Sequence, residues 1–361
     1  MRLVAPIYAR AAAWRRAWYV RHPEARRALA APVISVGNLA VGGTGKTPVV
    51  AALARWLLSQ GHTPSILSRG YARRRPADGV VVVSDGSGVL ASVSVSGDEP
   101  QMLARALPGA VVLVSADRYL AGRLAERRFG CTVHILDDGF QHVALERTVN
   151  LLLISPADLD DAVLPAGRLR EPLEAARAAD AVLVSGGEEE VAPVSRRVGV
   201  QPAFRIVARY AAPRLVHPFG SMLPRMAGAR ALAVAGIARP ERFFHAVRVH
   251  GWEVVKELAF RDHHWFDAAD LTRMLAVARD VQADVILTTE KDAMRLLNLP
   301  LAPIPRTFAF LPMTVSIEPA AAFHDFINAR VGTPADVRAR LGAPRRPSGT
   351  EAGFGRPESE R

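Results

Sequence analysis

Residues 35–50 read SVGNLAVGGTGKTPVV: a β-branched run, three glycines within four positions, then Lys-Thr-Pro and an apolar stretch. That succession specifies a strand, a tight loop and a helix. Gly42, Gly43 and Gly45 let the backbone curl and turn its N–H groups inward. A helix opening near Lys46 adds unpaired amides and the positive end of its dipole, so the loop becomes a cradle for phosphate oxygens. Lys46 brings a point charge for β- and γ-phosphates, and the Thr47 hydroxyl can ligate magnesium. Pro48 lacks an N–H that the first helical turn does not use. Ala40 stands where the strict GxxxxGK[ST] pattern has its first glycine, but the Gly42–Gly43 pair supplies the close backbone approach. Ala40, Val41, Gly42, Gly43, Thr44, Gly45, Lys46 and Thr47 are therefore the expected ATP-binding residues.

Such a loop calls for a second motif, an apolar strand ending in an acid. TVHILDDGFQH supplies it: Thr132 to Leu136 form the strand and Asp137 and Asp138 follow. Two adjacent acids beside a triphosphate repel it unless a cation intervenes, so the pair is expected to bind Mg²⁺ directly or through water. No guanine-reading N-K-x-D is evident, which argues against a GTPase.

The chain has 361 residues, half of them apolar, enough for two domains with separate cores. One cysteine, Cys131, excludes an internal disulfide framework and a four-thiolate metal site. A net charge of +11 favours an anionic partner. No uninterrupted apolar run of about 18 residues predicts a spanning helix, and no secretory signal is recognisable. Residues 1–30 contain seven arginines and one acid, Glu24. Leu3, Ile7, Ala11, Trp14 and Trp18 recur at helical spacing, which predicts a basic amphipathic helix for an anionic membrane surface or for its own domain. No nucleic-acid-binding module is recognised, and no obligate protein partner is evident.

From residue 33 the strands PVISVG, TPSILS, GVVVVS, VLASVSV, AVVLVS, TVHILD, VNLLLIS and DAVLVS alternate with helical patterns at 47–60, 99–107, 117–129 and 170–179. The fold class is α/β: a P-loop NTPase-like, mostly parallel sheet with a second, smaller α/β domain. The expected boundaries are 1–30 for the membrane-association helix, 31–199 for the ATP-binding domain and 200–227 for an extended linker. The second domain, 228–331, includes TFAFLPMTVSI and a helix near 317–330, and 332–361 is an unfolded tail.

Three polar clusters compete to hold an acceptor. In SGDEPQML (96–103) Asp98 and Glu99 open towards the sheet edge, with Asp98 either a proton acceptor or the cap of an Asp-x-x-Gln box. In RDHHWFDAADL (261–271) Asp267 and Asp270 have helix-cap spacing. One of His263 and His264 is expected beside a carboxylate and the other in ordinary packing, since adjacent histidines seldom reach one zinc ion together. In LPAGRLREP (164–172) Arg168 and Arg170 suit an anionic substrate, as do Arg69 and Arg118, or else they form surface ion pairs.

GNLAVGGTGKTP, LSRGYARR, SGDEP, SADR, ILDDGFQH, LPAGRLREP, AGIARPERFF, FRDHH and LTTEKDAMRL occur in the order seen in the tetraacyldisaccharide 4'-kinase family, which the chain resembles over roughly residues 3–330. The resemblance implies transfer of the ATP γ-phosphate to the 4'-hydroxyl of a tetraacyldisaccharide 1-phosphate lipid A precursor, forming lipid IVA. It implies a peripheral place on the cytoplasmic side of the bacterial inner membrane. It also makes Asp98 the catalytic base, His263 its partner, Asp137 and Asp138 the magnesium acids, and Glu99 and Glu171 further polar members, Glu99 near the metal. Ala72 and Arg168 depart from the family's usual glycine and proline. A hydrolase using the same cradle for conformational work is the alternative, and Lys291 in LTTEKDAMRL has no expected task beyond a substrate or domain contact.

Overall fold

The computed structural model describes residues 5–42, 45–71, 73–224, 228–301 and 306–342. Gly43, Thr44, Leu3 and Ala72 therefore lie outside the described residues. The chain opens with α1 (Ala5–Arg21) and then builds a first unit. This unit contains β1 (Val33–Asn38), α2 (Lys46–Ser59), β2 (Pro64–Ser68), β3 (Val81–Asp85), α3 (Val93–Ser96), α4 (Asp98–Ala106) and β4 (Val111–Val114). It continues through α5 (Arg118–Phe129), β5 (Val133–Asp137), β6 (Val149–Ile154), β7 (Ala181–Val184), α6 (Glu188–Val198) and β8 (Ala203–Tyr210).

A second unit follows, with β9 (Arg214–Leu215), β10 (Arg230–Ala235), α7 (Pro240–Val249), β11 (Glu253–Ala259), α8 (Ala268–Asp280), β12 (Val285–Thr289), α9 (Glu290–Leu296) and β13 (Thr307–Leu311). The chain then returns to the first unit through β14 (Met313–Glu318), α10 (Ala320–Val331) and α11 (Pro334–Leu341).

The larger sheet has nine strands in the order β14-β8-β7-β6-β1-β5-β2-β4-β3, parallel except for its two edges. The smaller has five, β11-β10-β12-β13-β9, parallel except at β9. Strand residues alternate between two covered faces. Ile34, Val36, Leu151 and Leu153 pack towards α2, α4 and α10, whereas Leu152, Ile154, Val182 and Val184 pack towards α6. Burial on both faces explains why these strands read as unbroken apolar runs. The sequence of pairings turns in opposite directions from β1, and the carboxyl ends of strands at such a point are where open α/β sheets place their ligands.

Several expectations need correction. The segment VLASVSV is not a strand: Val93–Ser96 is a helical turn, because Ser96 Oγ bonds the Ser92 carbonyl locally at 2.9 Å and Val93 is buried in the core of the second unit. After Pro172, the expected helix over 170–179 is a short 3₁₀ stretch, Leu173–Ala178. The linker 200–227 is not a simple connector, since β8 belongs to the large sheet and β9 to the small one. The run TFAFLPMTVSI divides at Pro312, with β13 pairing β12 and β14 pairing β8. Phe323, Phe326 and Ile327 of α10 then join the first unit's core, not the second's. The expected tail is folded as far as residue 342: Thr333 caps α11, Val337 is buried, and Arg338 reaches the Gly61 carbonyl at 3.0 Å. Residues 343–361 lie outside the described residues.

Candidate active site

β1 and α2 flank the glycine loop where the sequence places it. Gly42 and Gly45 hold φ of 100° and 82°, in the region that favours glycine, and Gly45 caps α2. Thr47 is buried at the start of that helix. On the entry side, Val41 N–H bonds the Arg168 carbonyl at 2.8 Å and Arg170 N–H bonds the Leu39 carbonyl at 2.7 Å, fastening the loop to LPAGRLREP. Lys46 Nζ donates to Asn38 Oδ1 at 2.8 Å and lies 3.2 Å from Asp138 Oδ1.

Asp137 ends β5 and Asp138 follows it, with the two carboxylates in different electrostatic settings. Asp138 Oδ2 accepts from Arg170 at 2.7 Å. Burial pushes its carboxyl up, but Lys46 and Arg170 outweigh burial and hold it below the usual range. Asp137 accepts only from Ser68 Oγ, at 3.2 Å, and its Oδ1 is buried with no hydrogen-bond partner among the described residues. Burial, Glu99 and Asp138 push its carboxyl up to about 7. A buried, unsatisfied hard oxygen beside a second acid fits a magnesium ion, which takes few protein ligands.

Asp98 lies in the first turn of α4. Gly97, not Asp98, occupies the cap position, and Asp98 Oδ1 accepts from Glu99 N–H at 2.9 Å. The expected Asp-x-x-Gln box does not form, because Gln101 Nε2 donates to the Ala91 carbonyl instead. Asp98 Oδ2 lies 3.4 Å from His263 Nδ1 and is bound by Arg295. Burial raises the Asp98 carboxyl, yet His263, Arg295 and Lys291 together hold it well below the ordinary carboxylate range. The other histidine does not merely pack: the ring of His264 stacks on Phe260, but its Nε2 also meets Asp270 Oδ2 at 2.6 Å, so both histidines lie beside a carboxylate. Asp267 and Asp270 cap α8.

The remaining candidates separate. Arg118 is buried, its Nε has no hydrogen-bond partner among the described residues, and burial with the like charge of Arg69 pushes it down to about 10. Arg170 orients Asp138. The Arg168 guanidinium binds Asp161 at 2.6 Å and Asp158 at 3.3 Å within its own loop. Glu99, expected near the metal, is bound by Lys291 from the second unit, so an ammonium already holds it. Glu171 is buried beneath α1 and receives both arms of Arg16, at 2.6 and 2.9 Å.

A sequence model described as LpxK, tetraacyldisaccharide-1-P 4'-kinase, matches residues 1–332. The chain belongs to the tetraacyldisaccharide 4'-kinase family. It is 43% identical over 269 residues to the tetraacyldisaccharide 4'-kinase of Geobacter metallireducens, covering 73% of this chain and 78% of that one. To that of Syntrophus aciditrophicus it is 39% identical over 317 residues, covering 82% and 83%. Among solved structures, LpxK from Aquifex aeolicus in complex with ATP aligns with a TM-score of 0.73 and 31% identity, over 91% of this chain and 97% of that one. As a member of this family the chain is a phosphotransferase, a lipid A precursor kinase.

Membership leaves unexplained what this tetraacyldisaccharide 4'-kinase family member does with Asn38, Arg16 and Arg295, none of which the sequence reading singled out. Asn38 had a signal, lying just before the loop at the end of β1. Arg16 carried no signal that set it apart from the other six arginines of residues 1–30. Arg295 had the clearest signal: Lys291 and Arg295 are four residues apart on one helix, matching the adjacent acids Asp98 and Glu99.

Proposed function

We propose that the protein phosphorylates the 4'-hydroxyl of a tetraacyldisaccharide 1-phosphate, using ATP, in the cleft between its two units. The observation that carries this reading is the meeting of Asp98 from the first unit with His263 of the second, 3.4 Å apart, with Asp98 in the same helical turn as Glu99, whose charge raises Asp137. Kinase chemistry needs an acceptor hydroxyl held in line and relieved of its proton as the phosphoryl group departs. Asp98 receives that proton. His263 adjoins its outer oxygen and fixes its direction. Lys46 and the loop amides hold the triphosphate and offset charge on the transferred group.

Asp137 and the Thr47 hydroxyl would hold Mg²⁺, with Asp138 nearby and steadied by Lys46 and Arg170. When bound, the ion neutralises phosphate charge. Arg69 and Arg118 repel one another, a cost that an anionic headgroup between them would offset.

The substrate's acyl chains favour a membrane surface, and α1 is suited to meet it. Ile7 and Trp14 point outward, 69% and 64% exposed, while Arg16 points inward. No helix among the described residues is long and apolar enough to cross a membrane. The reading is a peripheral protein on the cytoplasmic face of the bacterial inner membrane.

Incubation with γ-labelled ATP, Mg²⁺ and a disaccharide 1-phosphate glycolipid tests the function. Label at the lipid 4'-position is the expected result. Label only in inorganic phosphate means a hydrolase and overturns it.

A further inference from the structure

We propose that Arg295 is a positioning residue that seats the Asp98 carboxylate against His263, so that closing the two units and assembling the proton acceptor are one event. The proposal rests on the assignment of Asp98 above.

Arg295 is 1% exposed and belongs wholly to the second unit. Two of its partners there fix its plane: Nη1 donates to Asp292 Oδ1 at 2.9 Å and to the Gly236 carbonyl at 3.0 Å. Asp292 is itself held, with Oδ2 accepting from Thr289 Oγ1 at 2.7 Å and from Gly236 N–H at 2.9 Å. The guanidinium is planar and rigid, so fixing one arm aims the other. The aimed arm is Nη2, which binds Asp98 Oδ2 and lies 3.1 Å from His263 Nδ1. The Gly236 carbonyl also accepts the His263 N–H, at 3.1 Å. One carbonyl at the end of β10 thus sets both groups that meet Asp98.

Asp98 hangs from the first unit, while the two cations and the imidazole facing it all come from the second. Beside this contact Lys291 grips Glu99, making a second cross-unit pair from the same helix. With the units apart, Asp98 would have none of these partners and no reason to keep its oxygen pointed at the acceptor. An ordinary core ion pair would explain the Arg295–Asp292 contact, but it would not place the same nitrogen between the proposed base and its histidine.

The test uses the full chain with Mg²⁺-ATP and glycolipid in detergent micelles. Arg295→Lys keeps the charge but cannot bridge Asp98, Asp292 and the Gly236 carbonyl together. It is expected to lose about 10²-fold in kcat, as for a misplacement of about 1 Å, with its KM for ATP unchanged. Arg295→Ala is expected to regain turnover when guanidinium is added at non-denaturing concentration. The proposal is overturned if R295K keeps wild-type kcat, if its KM for ATP worsens in step with kcat, or if guanidinium fails to restore a folded R295A. Should R295A not fold, the R295K parameters decide alone. Asp98→Asn is measured alongside. An active D98N removes the Asp98 assignment, whereas an inactive D98N with normal R295K removes only the role of Arg295.

Discussion

His263 and Asp138 hold φ of 56° and 54°, a backbone region that few residues other than glycine adopt. Both belong to the proposed site, and the surrounding contacts hold them there: His263 N–H is tied to Gly236 and Asp262, and Asp138 is gripped by Lys46 and Arg170. Strain of this kind is worth about 1–3 kcal/mol per residue. His263→Gly should therefore be more stable than His263→Ala by about 1 kcal/mol, although both lose turnover. Thermal melts of the two variants check this, and equal midpoints would remove the strain. Lys46→Ala should weaken ATP binding by about 1.5–3 kcal/mol, the worth of a hydrogen bond to a charged group. Calorimetry with unchanged affinity would show that Lys46 does not reach the phosphates.

At the scale of the element, α1 shows what a helical wheel leaves open. The spacing of Ile7, Ala11 and Trp14 defines a stripe, but no pattern states whether the stripe faces the core or the outside. The side chains decide it: Arg16 lies over the Phe140 ring, 4.5 Å from its centroid, and pairs with Glu171, which turns the stripe outward. Ile7→Glu with Trp14→Glu should therefore reduce sedimentation with anionic vesicles and leave the melting temperature unchanged. A lowered melting temperature would mean that the stripe is packed on the protein. Other elements were legible because each carried its own boundary signal, such as the glycines before α2, the Asp117 cap of α5 and the Asp267 box of α8. The turn at Val93–Ser96 was misread because alternating Ser and Val imitates a strand, while its apolar partner lies in a unit some hundred residues further on.

For the molecule as a whole, the sequence announced two α/β units but not how the chain divides between them. In TFAFLPMTVSI only Pro312 marks the place where pairing passes from one sheet to the other. The crossing is double: the Ala211 N–H bonds the Pro312 carbonyl at 2.8 Å, so β8–β9 and β13–β14 pass between the units side by side. Glu290 faces this crossing. Burial pushes its carboxyl up to about 7 despite Arg214, Arg55 and the Met313 backbone N–H. Its folded pKa exceeds the unfolded value of about 4.3, so its contribution to stability is present in acid and lost as pH rises through about 7. Glu290→Gln should flatten the fall in melting temperature between about pH 5 and pH 8, and parallel curves would contradict that.

The second unit supplies the histidine and the cations that meet Asp98, and the first supplies the triphosphate cradle. ATP binding and phosphoryl transfer should therefore be separable. The most direct measurement takes Asp98→Asn, determines magnesium-dependent ATP affinity by calorimetry, and follows label transfer to the glycolipid in the same sample. Wild-type affinity with transfer nearly abolished is the predicted result. Lost affinity, with the fraction of enzyme that still binds ATP transferring label at the normal rate, would contradict it.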